Sequence, residues 1–346
     1  MIRYLVARTL LSVLLLLLVA VLTFVMIHLV PGDQAALWLG PRPTPEQLSE
    51  ARQKLGLNKP IYEQFYIYLD KVVHGDLGIS LRTKRAVADE LRERFPATLE
   101  LVSGSLLFAV SVGLLIGYLS AHKRGGLIDA ISRVLSISGV SMPIFWLALV
   151  TQLLFSSELS LLPLQGRLGD EVLRHYPLAR ITGIYTIDSI LQWNWTAFGD
   201  VISHLAGPVF CLTLSSTSLI SRMFRSSMIE ALEDRYVTAL QAIGIGRRTV
   251  GSKFALRMAI IPTITIVGLT YGYLLGGSFV IESIFDWPGL GKFAVDSLLA
   301  KDIPSVLGVT LLYASSYIGI NLVIDIVYGL VDPRIVRGQK RRIYYG

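Results

Sequence analysis

Charge is scarce in this chain. Of its 346 residues, 16% are Asp, Glu, Lys or Arg, against roughly 25% in an ordinary soluble domain. There is one cysteine, Cys211. A single thiol forbids an internal disulfide, and its apolar surroundings make it small filler rather than a reactive group. His28, His74, His122, His175 and His204 are scattered, with no spacing that would gather them on a metal. H-E-x-x-H, G-x-S-x-G and C-x-x-C are all missing. "PGLGKF" at 288–293 superficially looks like a phosphate loop, but Asp286 stands where the first glycine is required and Phe293 where Ser or Thr is required. It cannot cradle a nucleotide. The sequence offers no active site, no metal site and no cofactor site, so an enzyme is not the expectation.

Hydrocarbon is abundant instead, at 53% apolar residues. Six apolar blocks follow one another: Leu10–Val30, Leu99–Ala121, Val134–Phe155, Leu205–Ile220, Ala259–Ile281 and Val306–Val327. About 20 residues cross the hydrocarbon core as a helix, and most blocks reach that length. The fourth is the shortest, and Pro208 is expected in its first turn. A soluble fold buries one or two such helices, not six. The chain reads as an all-α polytopic membrane protein with six transmembrane helices. Arg3 and Arg8 resemble the basic region of a signal peptide, but the first block is long for one and "MIHLVPGD" has no small-x-small cleavage site. A retained first span is the expectation; a cleaved one is the alternative.

Lys and Arg near span ends tend to stay in the cytoplasm. With the N-terminus inside, the cytoplasmic segments gather Arg3, Arg8, Lys123, Arg124, Arg133, Arg222, Arg225, Arg235, Arg247, Arg248, Lys253, Arg257, Arg334, Arg337, Lys340, Arg341 and Arg342. The opposite segments 156–204 and 282–305 hold only Arg167, Arg174, Arg180, Lys292 and Lys301; the basic loop after the first span breaks the trend, but it exceeds about 60 residues, a length at which the rule weakens. Both termini are therefore expected in the cytoplasm. The net charge of +7 is explained by this asymmetry and needs no nucleic-acid partner; membrane lipids are the expected surroundings. Three regions result: 1–30, the N-terminus and first helix; 31–98, a helical extracytoplasmic loop; and 99–346, a five-helix core with a cytoplasmic loop at 222–258 and a cytoplasmic tail.

The extracytoplasmic loop carries local helix signals. Thr44-Pro45-Glu46-Gln47 is a capping box with proline at the first helical position, and the helix it opens stops at Gly56. A second helix runs from Pro60 to just before Gly75, with Ile61, Phe65, Leu69 and Val72 on one face. "AVADELRERF" before Pro96 is a third. The loop is either a lid packed on the spans or a docking surface for an external partner. Within the spans, Gly113 and Gly117, and Gly268, Gly272 and Gly276, recur at steps of four, the spacing of closely packed helices. Asn321 and Asp325 form a polar pair in the last span, read as an interhelical or interfacial contact rather than a proton relay.

The stretch "EDRYVTALQAIGIGRRTVGSKFALRMAIIPTITIVGL" interrupts this pattern. Met228, Leu232, Tyr236, Leu240 and Ile243 fall on one helical stripe, with Glu230, Glu233, Asp234, Thr238 and Gln241 off it. Gly244 and Gly246 permit a sharp turn, and a basic helical segment then leads through Arg257 to Pro262. A helix–turn–helix of this kind suits a protein groove or the headgroup layer. Its acidic polar face favours the protein.

These residues resemble the permease subunits of ABC importers, specifically the dipeptide/oligopeptide/nickel family. The stretch is similar to the family's loop motif Tyr-x-x-x-Ala-x-Ala-x-Gly followed by Arg and Pro, here Tyr236, Leu240, Ala242, Gly244, Arg257 and Pro262. Leu240 and Ile243 stand where the family usually has alanine and lysine, and Met258 where asparagine is common. Other matching pieces are "HLVPGD" at His28–Asp33, "LGLNKPIYEQF" at Leu55–Phe65, "HGDLGIS" at His74–Ser80, "FPATLEL" at Phe95–Leu101, "SMPIFW" at Ser141–Trp146, "WPGLG" at Trp287–Gly291 and "DPRI" at Asp332–Ile335.

The resemblance implies a type I importer permease fold and a cytoplasmic coupling helix that seats in an ATPase. It implies a second homologous permease subunit, two ABC ATPase subunits that bind the ATP and Mg, and an extracytoplasmic solute-binding protein that faces the first loop and the segment around Trp287–Asp302. Di- and oligopeptides are the expected cargo, with oligosaccharides, nickel chelates or glutathione as alternatives. A channel or secondary transporter is the rival from another class. A channel calls for a polar stripe through several spans, and only Asn321 and Asp325 approach one.

Overall fold

The computed structural model describes residues 2–29, 34–39, 43–54, 56–246 and 249–331. Residues 30–33 of "HLVPGD", Leu55, Arg247, Arg248, the "DPRI" segment and the basic tail lie outside the described residues.

Fourteen α-helices follow in order among the described residues: α1 Ile2–Leu29, α2 Gln34–Leu39, α3 Pro45–Lys54, α4 Ile61–Val73, α5 Val87–His122, α6 Leu127–Ser141, α7 Ile144–Thr151, α8 Asp170–His175, α9 Tyr185–Leu191, α10 Trp195–Glu233, α11 Arg235–Ala242, α12 Leu256–Ile284, α13 Leu290–Leu299 and α14 Ile303–Val331. Wider π-turns extend α7 over Gln152–Glu158 and precede α12 over Val250–Ala255. Among the described residues five helices are long and apolar enough to cross a membrane, six if a bent pair is counted as one span.

That sixth span is where the expected continuous helix Val134–Phe155 fails. It is two pieces, α6 and α7 with its π-turn, bent by 103°. The break falls at Met142-Pro143, where Met142 is extended (φ −85°, ψ 126°). Proline disfavours the helical region for the residue before it, and here "SMPIFW" marks the break. Two other prolines do the reverse. The separate helix expected before Pro96 is the first part of α5, which runs through Pro96 without stopping. Pro208 lies in the interior of α10, not its first turn, because α10 starts at Trp195, with Asn194 capping the Ala197 N–H at 3.1 Å. A proline removes one helical hydrogen bond; packed turns on both sides outweigh that loss.

The chain forms two compact units. The first comprises Met1–Val6, Pro96–Lys292 and Ile320–Gly346. Its core is α10 against α12, with α6, α7 and α9 packed on α10. A Cβ on Gly113 would lie 2.9 Å from Ile220, and one on Gly117 would lie 2.8 Å from the Ser221 carbonyl. These two glycines let α5 approach α10, as their spacing predicts. Gly268 does the same for α14, where a Cβ would lie 2.7 Å from Ile324. Gly276 meets nothing within 4 Å and takes no part.

At one end of this unit the chain wraps around a carboxylate. Glu282 is fully buried. It accepts from the Thr98 hydroxyl at 2.7 Å and from the Lys292 N–H at 3.1 Å. Thr98 in turn accepts from the Leu290 N–H at 2.8 Å, and Trp287 Nε1 donates to the Ala97 carbonyl at 2.9 Å. A Cβ on Gly289 or Gly291 would fall within 3 Å of the Glu282 carboxylate. The "FPAT" and "WPGLG" segments are thus two halves of one lock.

The second unit comprises Ala7–Phe95 and Phe293–Gly319. The Thr44 capping box is formed in both directions, Thr44 N–H to Gln47 Oε1 at 3.0 Å and Gln47 N–H to Thr44 Oγ1 at 3.3 Å. Helices α3 and α4 end on Gly56 (φ +70°) and Gly75 (φ +79°), left-handed positions that glycine suits. Helix α4 seats on α1: Phe65 meets the Phe24 ring edge-on at 5.1 Å, and the Tyr68 and Thr23 hydroxyls are 2.7 Å apart. On the expected face of α4, Phe65, Leu69 and Val72 are half-buried, whereas Ile61 is exposed. "HGDLGIS" ends in Ser80, whose hydroxyl donates to Asp302. Asp302 also accepts from the Leu81 N–H at 3.0 Å and the Ser305 hydroxyl at 2.7 Å. Burial alone would raise the Asp302 pKa; the Ser80 and Ser305 hydroxyls and the Leu81 and Arg82 N–H groups outweigh it and hold the carboxyl below the ordinary carboxylate range.

Two predictions follow from these buried carboxylates. Thr98→Val leaves the Leu290 N–H unpaired and removes one of the donors to the Glu282 carboxylate, and should cost about 3 kcal/mol, read as a lower melting temperature in detergent. Asp302→Ala should cost a similar amount at neutral pH. Because the folded pKa of Asp302 is depressed, its contribution is present above the unfolded value and lost as pH falls through the folded one. The gap between Asp302→Ala and the natural protein should therefore narrow below about pH 4.

Candidate functional site

Between the two longest helices of the first unit lies a short, self-contained helix. Helix α10 stops at Glu233, and Asp234 leaves the helical region (φ −66°, ψ 147°) to cap α11, its side chain accepting from the Tyr236 N–H at 3.2 Å. At the other end the Gly244 N–H reaches the Gln241 carbonyl at 3.0 Å and the Ile245 N–H reaches the Leu240 carbonyl at 3.1 Å. This is a Schellman closure, with Gly244 at φ +89° in the left-handed position. Eight residues are thus closed at both ends by their own sequence. Gly246 is not left-handed and meets nothing within 4 Å, so the turn expected from two glycines rests on Gly244 alone.

The single apolar stripe expected from Met228 to Ile243 is overturned by the break at Asp234. Met228 is fully buried on α10, but on α11 the buried residue is Val237, with Tyr236 and Leu240 half-buried. Ala242, Ile243 (75% exposed) and Gly244 face outward. Reorienting the chain at Asp234 changes which residues of a nominal 3.6-residue pattern point inward. The Tyr236 hydroxyl is buried without a hydrogen-bond partner among the described residues. Burial, and then the Asp234 charge, raise its pKa above the ordinary phenol value.

The chain on either side of α11 is apolar and close-packed. Phe224, Met228 and Ala231 of α10 meet Ala121 of α5, and Ala255 and Ala259 at the start of α12, in one cluster. Gly251, in the π-turn, faces His122: a Cβ there would lie 2.6 Å from His122 Nε2. From Val250 the chain runs as one continuous helix to Ile284. Arg257 and Met258 are exposed on it, and Pro262 is half-buried. The structure thus gathers Tyr236, Leu240, Ala242 and Gly244 on α11 and its cap, and puts Arg257 and Pro262 on the following helix. Pro262 removes the N–H that would pair with the Met258 carbonyl, and the Tyr328 hydroxyl braces the same stretch through the Ile261 carbonyl at 2.7 Å.

One polar clamp next to this site escapes the sequence pattern. Asp129, in the first turn of α6 and almost fully buried, takes Arg225 of α10 bidentately, Nε to Oδ1 at 2.6 Å and Nη2 to Oδ2 at 3.0 Å. It also accepts from the Gly125 N–H at 3.0 Å. In the sequence, Arg225 is one more basic residue near a span end; the readable signal is the lone acid Asp129 in a basic turn. By contrast, Arg124 and Glu233 pair at 2.5 Å with both side chains exposed, which contributes little. A cavity of about 200 Å³ between α5, α6 and α10 is lined by Phe108, Val112, Ser136, Phe210, Thr217 and Ser221, among other uncharged residues. No charged side chain lines it.

Comparison with known proteins agrees with this architecture. Residues 113–337 match the family model of the binding-protein-dependent transport system inner membrane component, and residues 1–102 match the model of that component's N-terminal region. The chain is 41% identical to the probable D,D-dipeptide transport system permease protein DdpB of Escherichia coli, over 92% of this chain and 93% of that one. It is 37% identical to the dipeptide transport system permease protein DppB of Alkalihalophilus pseudofirmus, and 35% identical to the glutathione transport system permease protein GsiC of Escherichia coli. Each of these alignments covers 97% of this chain and 99% of the relative. A multi-pass helical chain matched over nearly its whole length in this way belongs to the family of binding-protein-dependent transport system inner membrane components, the permease subunits of ABC importers.

Proposed function

We propose that this permease carries di- or oligopeptides and that α11 is its coupling helix, seated in a groove of a cytoplasmic ATPase. The observation that supports this most is the construction of α11. It is closed at both ends, buries Val237 and half-buries Tyr236, and turns Ala242, Ile243 and Gly244 outward. A rigid element of this kind can transmit a push, and the continuous helix from Val250 carries it into the membrane. The chain works with a second permease subunit, two ABC ATPases that hold ATP and Mg, and an extracytoplasmic binding protein that delivers the cargo. It has no cofactor and performs no chemistry of its own. Both termini and α11 lie in the cytoplasm, in keeping with the basic loops. Peptide cargo rests on relatives named as permeases of D,D-dipeptide and di/tripeptide transport systems. Ile243, apolar and exposed where the family usually carries lysine, fits an ATPase groove with an apolar rim.

The test separates the lever from the span. Gly244→Val has room for its side chain but not for its backbone angle, a strain of at least about 1 kcal/mol that opens the C-terminal closure of α11. Transport of a labelled dipeptide and retention of the ATPase during purification should both fall at least tenfold, with membrane insertion unchanged. Tyr236→Asp, which puts a carboxylate in a half-buried position next to the Asp234 charge, should do the same. Gly246→Ala should leave both readouts intact. Full transport and full ATPase retention in Gly244→Val and Tyr236→Asp would overturn the coupling assignment.

A further inference from the structure

The segment that leads into α10 is built inside out. On α9 the polar residues Asp188 and Ser189 are fully buried, while the apolar Ile187, Ile190 and Leu191 are exposed. Asp188 spends its oxygens inward, accepting from the Thr182 N–H and hydroxyl at 2.8 and 2.7 Å and from the Gly183 N–H at 3.0 Å. An amphipathic helix in water shows the opposite arrangement.

The end of α9 adds a second, independent observation. The Trp193 N–H bonds to the Ile190 carbonyl at 3.0 Å and the Asn194 N–H to the Ser189 carbonyl at 2.9 Å, a Schellman closure. Gly56, Gly75 and Gly244 hold the left-handed position in three other helix ends of this chain. Here Trp193 holds it, at φ +53°. A bulky aromatic is poorly suited to that conformation, so the fold gains nothing from a tryptophan there. Its side chain is 78% exposed, and Trp195, edge-on to it at 6.1 Å, is 57% exposed.

We infer that α9 and the Trp193–Trp195 pair form a foot seated in the lipid headgroup layer. Trp195 is the first residue of a membrane-crossing helix. From it to Arg222, the first basic residue near the other end, are 27 residues. That is roughly 40 Å of helix, close to the thickness of a bilayer with its headgroups. With Arg222 at one headgroup layer, Trp195 reaches the other, the depth at which tryptophan concentrates. The exposed apolar surface also continues from Trp195 to Ile202 along the same helix, as a lipid-facing surface must. The foot would anchor the depth of α10, and with it the lever at the far end.

The test uses the full chain with its co-purifying partners in nanodiscs. The probe is phosphatidylcholine brominated on the acyl chain near the headgroup, set against unbrominated lipid and against aqueous iodide. The emission of interest is that lost in Trp193→Phe, and separately in Trp195→Phe, each of which keeps an aromatic ring. Brominated lipid should quench that emission roughly twofold or more, with little response to iodide. Quenching by iodide without a response to brominated lipid would put the pair in water. A response to neither would put it under a protein partner. Either result overturns the inference.

Discussion

A helix in hydrocarbon must satisfy every backbone N–H and C=O from within itself, since each unpaired group there costs several kcal/mol. This constraint makes uninterrupted helix the default over most of the chain and gives its few interruptions mechanical meaning. The backbone breaks at Met142-Pro143, at Asp234 and at Gly244, and widens at Gln152–Glu158 and Val250–Ala255. Each break is closed by a local device. Proline has no N–H to leave unpaired at the first, the Asp234 carboxylate caps the second, and a left-handed glycine returns two N–H groups to the helix at the third. Three of the five interruptions surround α11. The sharpest bend, 103° at Met142-Pro143, falls inside the third span.

The buried charges follow the same logic. Glu282, Asp302 and Asp129 are each surrounded by hydrogen-bond donors. A buried carboxylate is tolerated only when its acceptor capacity is filled. Once filled, it ties together segments far apart in sequence. Glu282 and Thr98 join across 184 positions, and Asp129 and Arg225 across 96. These ties hold the ends of helices whose middles pack through glycine and alanine. Side chains that small let backbones approach but specify little about rotation or depth, so the polar ties supply that information.

What was legible in the sequence was local. The Thr44 capping box and the glycine ends at Gly56, Gly75 and Gly244 could be read because each depends on a few neighbouring residues. The packing role of Gly113, Gly117 and Gly268 was legible from spacing; that of Gly276 was not, because spacing does not say which face meets a neighbour. The division of the third span was hidden by a hydrophobic run that continues across Met142-Pro143. At Asp234 the stripe from Met228 to Ile243 masked an acid in a good capping position. Prolines misled in both directions: Pro143 ends a helix, whereas Pro96 and Pro208 sit inside one, and the difference lies in tertiary packing. The polar clamps were invisible because their partners lie nearly a hundred or more residues apart. Of the candidate site, its location and outer residues could be read, and its inner face could not.

The most direct test of the account is a photocrosslink from the outward face of α11. Benzoylphenylalanine placed at Ile243, the most exposed large side chain on that element, reports whatever lies against it in the native membrane. The account predicts an adduct with an ATPase subunit whose yield changes when ATP is added. Adducts with lipid alone, or only with another copy of this chain, would contradict it and make α11 an interfacial helix rather than a coupling one.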